Sequence, residues 1–138
     1  MMRELYTQII MDHYRSPRNR GELAGAEVEE HLLNPLCGDE ITVYANFRDG
    51  KATEVKFEGR GCSISQASAS MMTEKLLGKN REEAEAEIER FRTMMVGEEK
   101  FPETEDLAAL RGVIQYPSRI KCATLAWDAF RRGLGDRE

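Results

Sequence analysis

Apolar residues recur along the chain at two different periods, and these periods separate predicted helices from predicted strands. Leu5, Ile9 and Ile10 have helical spacing, so the pattern predicts an amphipathic helix over Arg3–Tyr14. Ser16-Pro17 follows, and proline both fails to continue a helix and disfavours helical backbone at the residue before it. The chain is therefore expected to begin with a helix that ends in a turn.

The next segment alternates between apolar and polar residues, as half-buried strands do. Ala26–Leu33 is predicted as a first strand, although its alternation is imperfect, and Ile41–Phe47 as a second. Asp49-Gly50 is typical of a tight turn and predicts a hairpin with a third strand. The side chains expected to face inward on that third strand are Thr53, Val55 and Phe57.

Helical periodicity returns after the third strand, and two helix starts have a capping signature. Ser63-Ile64-Ser65-Gln66 has the form of a capping box and predicts a helix that ends near Leu77. The signature recurs at Asn80 with Glu83, which predicts a helix that continues to Met95.

Two more helices are expected in the C-terminal part of the chain. Thr104 is predicted to cap a helix that carries Leu107 and Val113, and Pro117-Ser118 to begin a helix that ends near Gly133. We find no internal repeat, low-complexity segment or linker. The pattern therefore favours one α+β domain over 1–138, in which a small three-stranded antiparallel sheet packs against several helices, mostly on one side.

Size and charge exclude several classes of protein. A chain of 138 residues has the size of one domain and buries roughly 65–70% of its unfolded surface. Its net charge of −5 argues against a nucleic-acid partner. No apolar run approaches the about 18 residues that a membrane span needs, so we expect a cytoplasmic protein with no membrane partner. In that compartment, thiols stay reduced and clustered cysteines usually bind metal or catalyse.

Three cysteines carry the candidate chemistry: Cys37, Cys62 and Cys122. An odd number cannot pair off completely into disulfides. With the carboxylate of Asp39, three thiolates would complete a four-coordinate zinc shell or hold an iron–sulfur cluster. The spacing is not that of a zinc finger, so these ligands must be brought together by the fold.

The surroundings of two cysteines favour the thiolate form. Cys62 comes directly before a predicted helix, and Cys122 lies near the start of another, where the helix macrodipole is positive. Arg60, Arg119 and Lys121 flank these cysteines and add positive charge. The sequence thus predicts electropositive environments for at least two of the three sulfurs.

The remaining metal-binding side chains have simpler interpretations. For His13 we favour a packing or surface role. His31 lies on a predicted strand, and we favour a structural role for it over metal binding. The pairs Met71-Met72 and Met94-Met95 fit helix packing in the core better than soft-metal binding.

The cysteine segments and the N-terminal segment together resemble the U-type iron–sulfur cluster assembly proteins, IscU and SufU. The motifs that carry the resemblance are Ile9-Ile10-Met11-Asp12-His13-Tyr14 with Ser16-Pro17-Arg18-Asn19, Asn34-Pro35-Leu36-Cys37-Gly38-Asp39, Gly61-Cys62-Ser63-Ile64-Ser65 and Ile120-Lys121-Cys122-Ala123. The resemblance implies an α+β scaffold with Cys37, Cys62 and Cys122 as sulfur ligands and Asp39 as the carboxylate neighbour. It also implies a cysteine desulfurase as sulfur donor and apo iron–sulfur proteins or downstream assembly factors as recipients.

Three departures from IscU resemble SufU. Lys121 stands where IscU proteins have a histidine before the third cysteine, which leaves Asp39 as the fourth ligand. Tyr116–Lys121 replaces the Leu-Pro-Pro-Val-Lys chaperone-docking motif, and the stretch 80–96 contains a predicted helical insertion, Asn80–Met95. The SufU branch implies tightly bound zinc and acceptance of persulfide sulfur from the desulfurase.

Three hypotheses of function follow. In the first, zinc binds Cys37, Asp39, Cys62 and Cys122 in the resting protein, and Cys37, on a glycine-flanked loop, accepts persulfide sulfur. The protein is then a sulfurtransferase-like carrier and not a conventional turnover enzyme. In the second, the same side chains hold a labile [2Fe–2S] cluster that is passed to apoproteins. In the third, the protein is a structural zinc domain.

Overall fold

The computed structural model describes residues 2–35, 38–97 and 105–135, with side chains described from residue 6 onward. Four α-helices, three strands and one 3₁₀ helix follow one another along these residues. In chain order they are α1 (Met2–Arg15), β1 (Val28–Asn34), β2 (Asp39–Arg48), β3 (Lys51–Arg60), α2 (Ser63–Leu76), α3 (Arg81–Met95), the 3₁₀ helix (Asp106–Gln115) and α4 (Pro117–Gly135).

The three strands form one antiparallel sheet in the order β1-β2-β3. Helices α2 and α4 pack on the sheet, and α1, α3 and the 3₁₀ helix pack on those two helices. The predicted α+β fold is confirmed. The predicted hairpin at Asp49-Gly50 is confirmed as well, because both residues have positive φ (53° and 79°), as a tight hairpin turn requires.

One strand residue faces the opposite way from its prediction. The β2–β3 register shifts between Asn46, which pairs with Glu54, and Phe47, which pairs with Ala52. Thr53 is the extra residue at this bulge, so the alternation of side chains moves by one position. The prediction that Thr53 faces inward is wrong: Thr53 is exposed, and Ala52 is buried in its place.

Helix α2 forms the centre of the helical layer, and small residues let its neighbours approach closely. Ten of its 14 residues are buried. The hydroxyl of Ser68 accepts a hydrogen bond from Trp127 Nε1 (2.9 Å) and donates one to the carbonyl oxygen of Ala123 (2.5 Å), so this buried polar group is satisfied. The methionines predicted to lie in the core, Met71, Met72, Met94 and Met95, are all buried there.

The helix starts agree with the sequence at one place and differ at two. The capping box of Asn80 and Glu83 is confirmed, with both reciprocal hydrogen bonds present. The box predicted at Ser63–Gln66 is wrong, since Cys62 is the N-cap of α2. The helix predicted after Thr104 is a 3₁₀ helix whose N-cap is Glu105, and Thr104 itself lies outside the described residues.

Helix α3 occupies the segment predicted as an insertion relative to IscU, and the inserted nature of this segment stays a prediction. Its Phe91 ring stacks on the Trp127 ring of α4, with centroids 4.2 Å apart and planes 10° from parallel. The side chain of Phe91 is fully buried.

Within the described part of the chain, no helix combines the length and hydropathy required to cross a bilayer.

Candidate metal centre

Asp39 is a buried carboxylate at the first position of β2. It pairs in register with Asn34, the last residue of β1, so the two strand ends are held side by side. The amide of Gly38 donates to the carbonyl oxygen of Asn34 (2.9 Å), and Gly38 has a φ of 72°, which favours glycine. Cys37, the predicted persulfide acceptor, belongs to this connection but lies outside the described residues.

The carboxylate of Asp39 reaches from the sheet to the start of α2. Its Oδ1 accepts a hydrogen bond from the backbone amide of Cys62 (2.9 Å), and its Oδ2 lies 3.9 Å from Cys62 Sγ. The amide of an N-cap residue is outside the intrahelical bonding, so an acceptor from another element stabilises it. Asp39 therefore fixes the start of α2 and the Cys62 sulfur together.

Gly61 is required by this close approach. A β-carbon at position 61 would overlap Asp39 Oδ1 and would lie 2.7 Å from Ser65 Oγ. The absence of a side chain at this one position lets the carboxylate sit against the helix start.

Cys122 completes the cluster from α4. It lies in the second turn of the helix that begins at Pro117, just after the first turn, in agreement with its predicted place near the helix start. Its side chain is fully buried, with Sγ 4.0 Å from Asn34 Nδ2 and 4.0 Å from the carbonyl oxygen of Ser118. Asn34 is a neighbour of the sulfur that pattern alone did not identify, since an asparagine at a strand end is common in turns.

Ligand atoms of Asp39, Cys62 and Cys122 all lie within 4.8 Å of one another. In a tetrahedral zinc shell with Zn–S bonds of about 2.3 Å, neighbouring ligand atoms are about 3.5–3.8 Å apart. The three side chains therefore need only small movements to close on one ion. Two sulfurs and a carboxylate are also a donor set that zinc accepts.

Arg119 supplies the positive charge at this cluster. The negative charge of Cys62, followed by hydrogen bonds to Cys122 and Cys62, raises the pKa of the Arg119 guanidinium above its usual value. The other two cations expected here are arranged differently. Arg60 is 81% exposed and its Nε pairs with Glu40 Oε1 (3.4 Å), while Lys121 is exposed on α4.

Neither histidine belongs to the cluster of Asp39, Cys62 and Cys122. His31 is exposed on β1, on the sheet face opposite the buried side chain of Asn34. His13 is fully buried, in agreement with the packing interpretation, and its ring contacts Ser70 and Asp106.

Comparison with known proteins gives a consistent family. Residues 5–136 match the model of the NifU-like N-terminal domain. The chain is 46% identical over 136 residues to the zinc-dependent sulfurtransferase SufU of Bacillus subtilis, covering 97% of this chain and 92% of that protein. It is 40% identical over 135 residues to the iron-sulfur cluster assembly scaffold protein IscU of Streptococcus pyogenes. That match covers 96% of this chain and 84% of that protein.

A solved structure agrees with these sequence relatives. A candidate iron-sulfur cluster assembly scaffold protein for the SUF system, from Fervidobacterium islandicum AW-1, superposes with a TM-score of 0.86 at 35% identity. The match covers 95% of this chain and 97% of that one. The resemblance to the U-type assembly proteins is thereby confirmed, and the chain belongs to the NifU-like N-terminal domain family.

Proposed function

We propose that this protein is an iron–sulfur cluster assembly protein that accepts persulfide sulfur from a cysteine desulfurase. In its resting form, zinc would be held by Asp39, Cys62 and Cys122, with Cys37 as the fourth ligand. The observation that carries the proposal is the convergence of three ligand atoms within 4.8 Å from the sheet, the start of α2 and α4. The relatives named as a zinc-dependent sulfurtransferase and as a cluster assembly scaffold support the same role.

Asp39, Cys62 and Cys122 fit zinc in donor type and in spacing, and Cys37 would supply the fourth ligand. Zinc, when bound, supplies the positive charge that keeps the cysteines as thiolates and closes the cluster. The Cys62 amide holds Asp39 Oδ1 through a hydrogen bond of 2.9 Å, so the protein itself positions one ligand side chain. A partly preformed site lowers the entropy cost of assembling the shell.

Cys37 is the proposed sulfur acceptor. Its thiolate attacks the outer sulfur of the desulfurase persulfide, and a new S–S bond forms at Cys37 Sγ. The S–S bond in the desulfurase breaks, and its cysteine leaves as a thiolate. The sulfane sulfur moves from one cysteine to another, so no external oxidant or reductant is needed.

Arg119 would balance the negative charge that accumulates at the centre. Three thiolates and a carboxylate carry four negative charges, of which a divalent ion compensates two. An exposed guanidinium beside Cys62 and Cys122 lowers the remaining charge while leaving the centre open to a partner. The partners we propose are the desulfurase as donor and apo iron–sulfur proteins or assembly factors as recipients.

Sulfur loading of a Cys37→Ser variant tests the proposal. The protein is mixed anaerobically with its desulfurase and free cysteine, and mass spectrometry of thiol-blocked peptides locates the added sulfur. We expect wild type to gain one sulfur atom on the Cys37 peptide and to accelerate the desulfurase, and Cys37→Ser to do neither. Ser63→Ala, a change beside Cys62 that removes no ligand, should behave as wild type. Equal loading of the Cys37→Ser variant would overturn the acceptor role.

A scaffold for a labile [2Fe–2S] cluster is the second candidate, and the relatives named as assembly scaffolds favour it. Ligation by a carboxylate in place of a fourth cysteine would make such a cluster easy to release. Anaerobic reconstitution with iron and sulfide separates the two candidates. A stable chromophore that transfers to an apoprotein favours the scaffold, whereas retention of zinc and absence of a chromophore favour the sulfur acceptor.

A further inference from the structure

A second cluster of candidate ligands lies at the other end of α2, away from the cysteines. His13 Nε2 is 2.6 Å from Asp106 Oδ2 and 3.8 Å from Glu74 Oε1, and these three ligand atoms all lie within 4.8 Å of one another. The imidazole is fully buried, while both carboxylates are half exposed. One nitrogen is thus presented from the interior to two oxygens at the surface.

The imidazole is held from behind by a buried hydroxyl. His13 Nδ1 is 2.8 Å from Ser70 Oγ, which also accepts a hydrogen bond from the backbone amide of Arg18 (2.8 Å). Without an ion, the 2.6 Å contact is a hydrogen bond that Nε2 donates to Asp106 Oδ2. For Nε2 to bind an ion, the ring hydrogen must lie on Nδ1, which then donates to Ser70 Oγ and leaves the Nε2 lone pair facing the two carboxylates. Metal-binding histidines are commonly oriented in this way, by a hydrogen bond from the ring nitrogen that does not bind the metal.

We propose that His13, Glu74 and Asp106 bind a divalent first-row transition-metal ion at a site separate from the cysteine centre. With ligand bonds of about 2.0–2.2 Å, neighbouring ligand atoms lie about 3–3.4 Å apart. The Nε2–Asp106 distance must therefore lengthen slightly and the Nε2–Glu74 distance shorten slightly. Water can complete the coordination from the exposed side of the two carboxylates.

The charges around this cluster favour a cation. Glu74 and Asp106 are opposed by Arg18, whose guanidinium is already paired with Asp12 (Nη2–Oδ2 2.7 Å). Asp12 is the main reason that the pKa of Arg18 is raised, and the charges of Glu74 and Asp106 add to it. Glu74 and Asp106 thus share the single positive charge of Arg18 with Asp12. The cluster therefore keeps net negative charge, which attracts a metal ion.

The two sites differ in donor type and position. The second has nitrogen and oxygen donors and no sulfur, a set that suits ions such as Mn²⁺ and Fe²⁺ as well as Zn²⁺. Glu74 follows Cys62 by twelve residues, or about 18 Å along α2 at 1.5 Å per residue. An ion at this site would join α1, α2 and the 3₁₀ helix, and this inference does not depend on what the cysteine centre does.

Titration with Mn²⁺ tests the site. The full chain is first loaded with one equivalent of zinc, which thiolates bind more tightly than nitrogen and oxygen donors do, so the second site stays available to Mn²⁺. Free Mn²⁺ is then followed by electron paramagnetic resonance as it is added. We expect one saturable Mn²⁺ per wild-type chain, and affinity weakened by about tenfold or more in both Glu74→Gln and Asp106→Asn. Glu82→Gln, an exposed charge change on α3, should bind as wild type.

Each other outcome would count against the site. Absence of saturable binding, or equal affinity in Glu74→Gln and wild type, would leave His13 and Asp106 as a structural pair only. Loss in Asp106→Asn alone would have the same meaning, because Asp106 contacts His13 without any ion. Circular dichroism of each variant separates lost binding from lost folding. Glu74→Gln is the safer variant because Glu74 Oε1 lies 3.8 Å from His13 Nε2, whereas Asp106 Oδ2 is within hydrogen-bond distance of it.

Discussion

The two ligand clusters use opposite ends of the same helix, yet they are built in different ways. At the N-terminal end of α2, Cys62 meets Asp39 and Cys122, so the cluster contains sulfur and depends on a strand end and a glycine. At the C-terminal end, Glu74 meets His13 and Asp106 without any sulfur. One buried helix thus brings together two groups of candidate ligands whose donor atoms differ.

The difference in donor type also separates the expected affinities. Thiolates bind borderline-soft ions such as zinc strongly, whereas an imidazole with two carboxylates binds hard and borderline ions more weakly and less selectively. Each cluster should therefore respond to its own substitutions and not to those in the other.

Cys122→Ser should have the largest effect on the difference between the two clusters. It removes one thiolate from the first cluster, and zinc affinity should fall by more than about 100-fold, since even outer-shell changes cost about 10–100-fold. The zinc-dependent rise in melting temperature should disappear, while Mn²⁺ binding at His13 stays unchanged. Calorimetry with both ions on one preparation checks this, and a parallel loss of Mn²⁺ binding would show that the clusters are not independent.

Gly61→Ala should come next, because it acts on the first cluster without removing a ligand. The new methyl group would overlap Asp39 Oδ1 and push the carboxylate from the Cys62 amide. We expect zinc affinity to fall about 10–100-fold and the free energy of unfolding to drop by about 1–3 kcal/mol.

Gly25→Ala is the matched control for that substitution. Gly25 has a φ of 70° with open space around its β-position, so alanine there reports only the backbone cost of about 1–2 kcal/mol. Zinc affinity measured by chelator competition should be unchanged in Gly25→Ala. Equal zinc affinity in the two variants would contradict the role assigned to the Gly61 approach.

Arg119→Gln should have a moderate effect on the first cluster. The guanidinium is fully exposed, so its interaction with the sulfurs is screened by solvent and salt. We expect zinc affinity to fall about threefold to tenfold at low ionic strength, and less in high salt. Lys121→Gln removes the same charge two residues later and should lower the zinc affinity less than Arg119→Gln does. An equal loss of zinc affinity in both variants would show that only the overall charge matters.

Asp12→Asn and Arg18→Gln should produce the smallest effects, of opposite sign, at the second cluster. Arg18 lowers the pKa of Asp12, so the pair is intact at neutral pH and is lost as the pH falls through that lowered pKa. Without Asp12, the guanidinium competes more for Glu74 and Asp106, and Mn²⁺ affinity should fall about twofold to threefold. Arg18→Gln should raise the Mn²⁺ affinity, and a lower affinity in that variant would contradict this arrangement of charges.

Local sequence patterns predicted the elements well where neighbours along the chain decide the structure. The Asn80 and Glu83 capping box and the Asp49-Gly50 turn depend on residues within four positions, and both are present. The capping box predicted at Ser63–Gln66 is wrong because the helix start is held by a distant residue. Asp39, 23 positions before Cys62, accepts a hydrogen bond from the Cys62 amide. The predicted inward orientation of Thr53 is wrong because it depends on a β-bulge, which arises from the pairing of two strands.

The candidate sites show the same contrast. The sequence indicates Cys62 and Cys122 as candidate ligands because thiols beside glycines and helix starts are unusual. It indicates Asp39 because a carboxylate two residues from Cys37 can complete the same shell. Their metal-ligand role, and that of Cys37, stays a prediction. The His13 cluster had no comparable signal, since Glu74 and Asp106 resemble any other surface acids until they are seen beside a buried ring.

Short-range periodicity and side-chain chemistry are enough to predict the order of helices and strands, the hairpin, and the residue types able to bind metal. Tertiary structure decided which side chains meet: Asp39 against the Cys62 amide, Cys122 from a helix 60 positions later, and His13 against Glu74 and Asp106. Such meetings depend on how α2 packs between the sheet and the other helices, and no spacing along the chain records that packing.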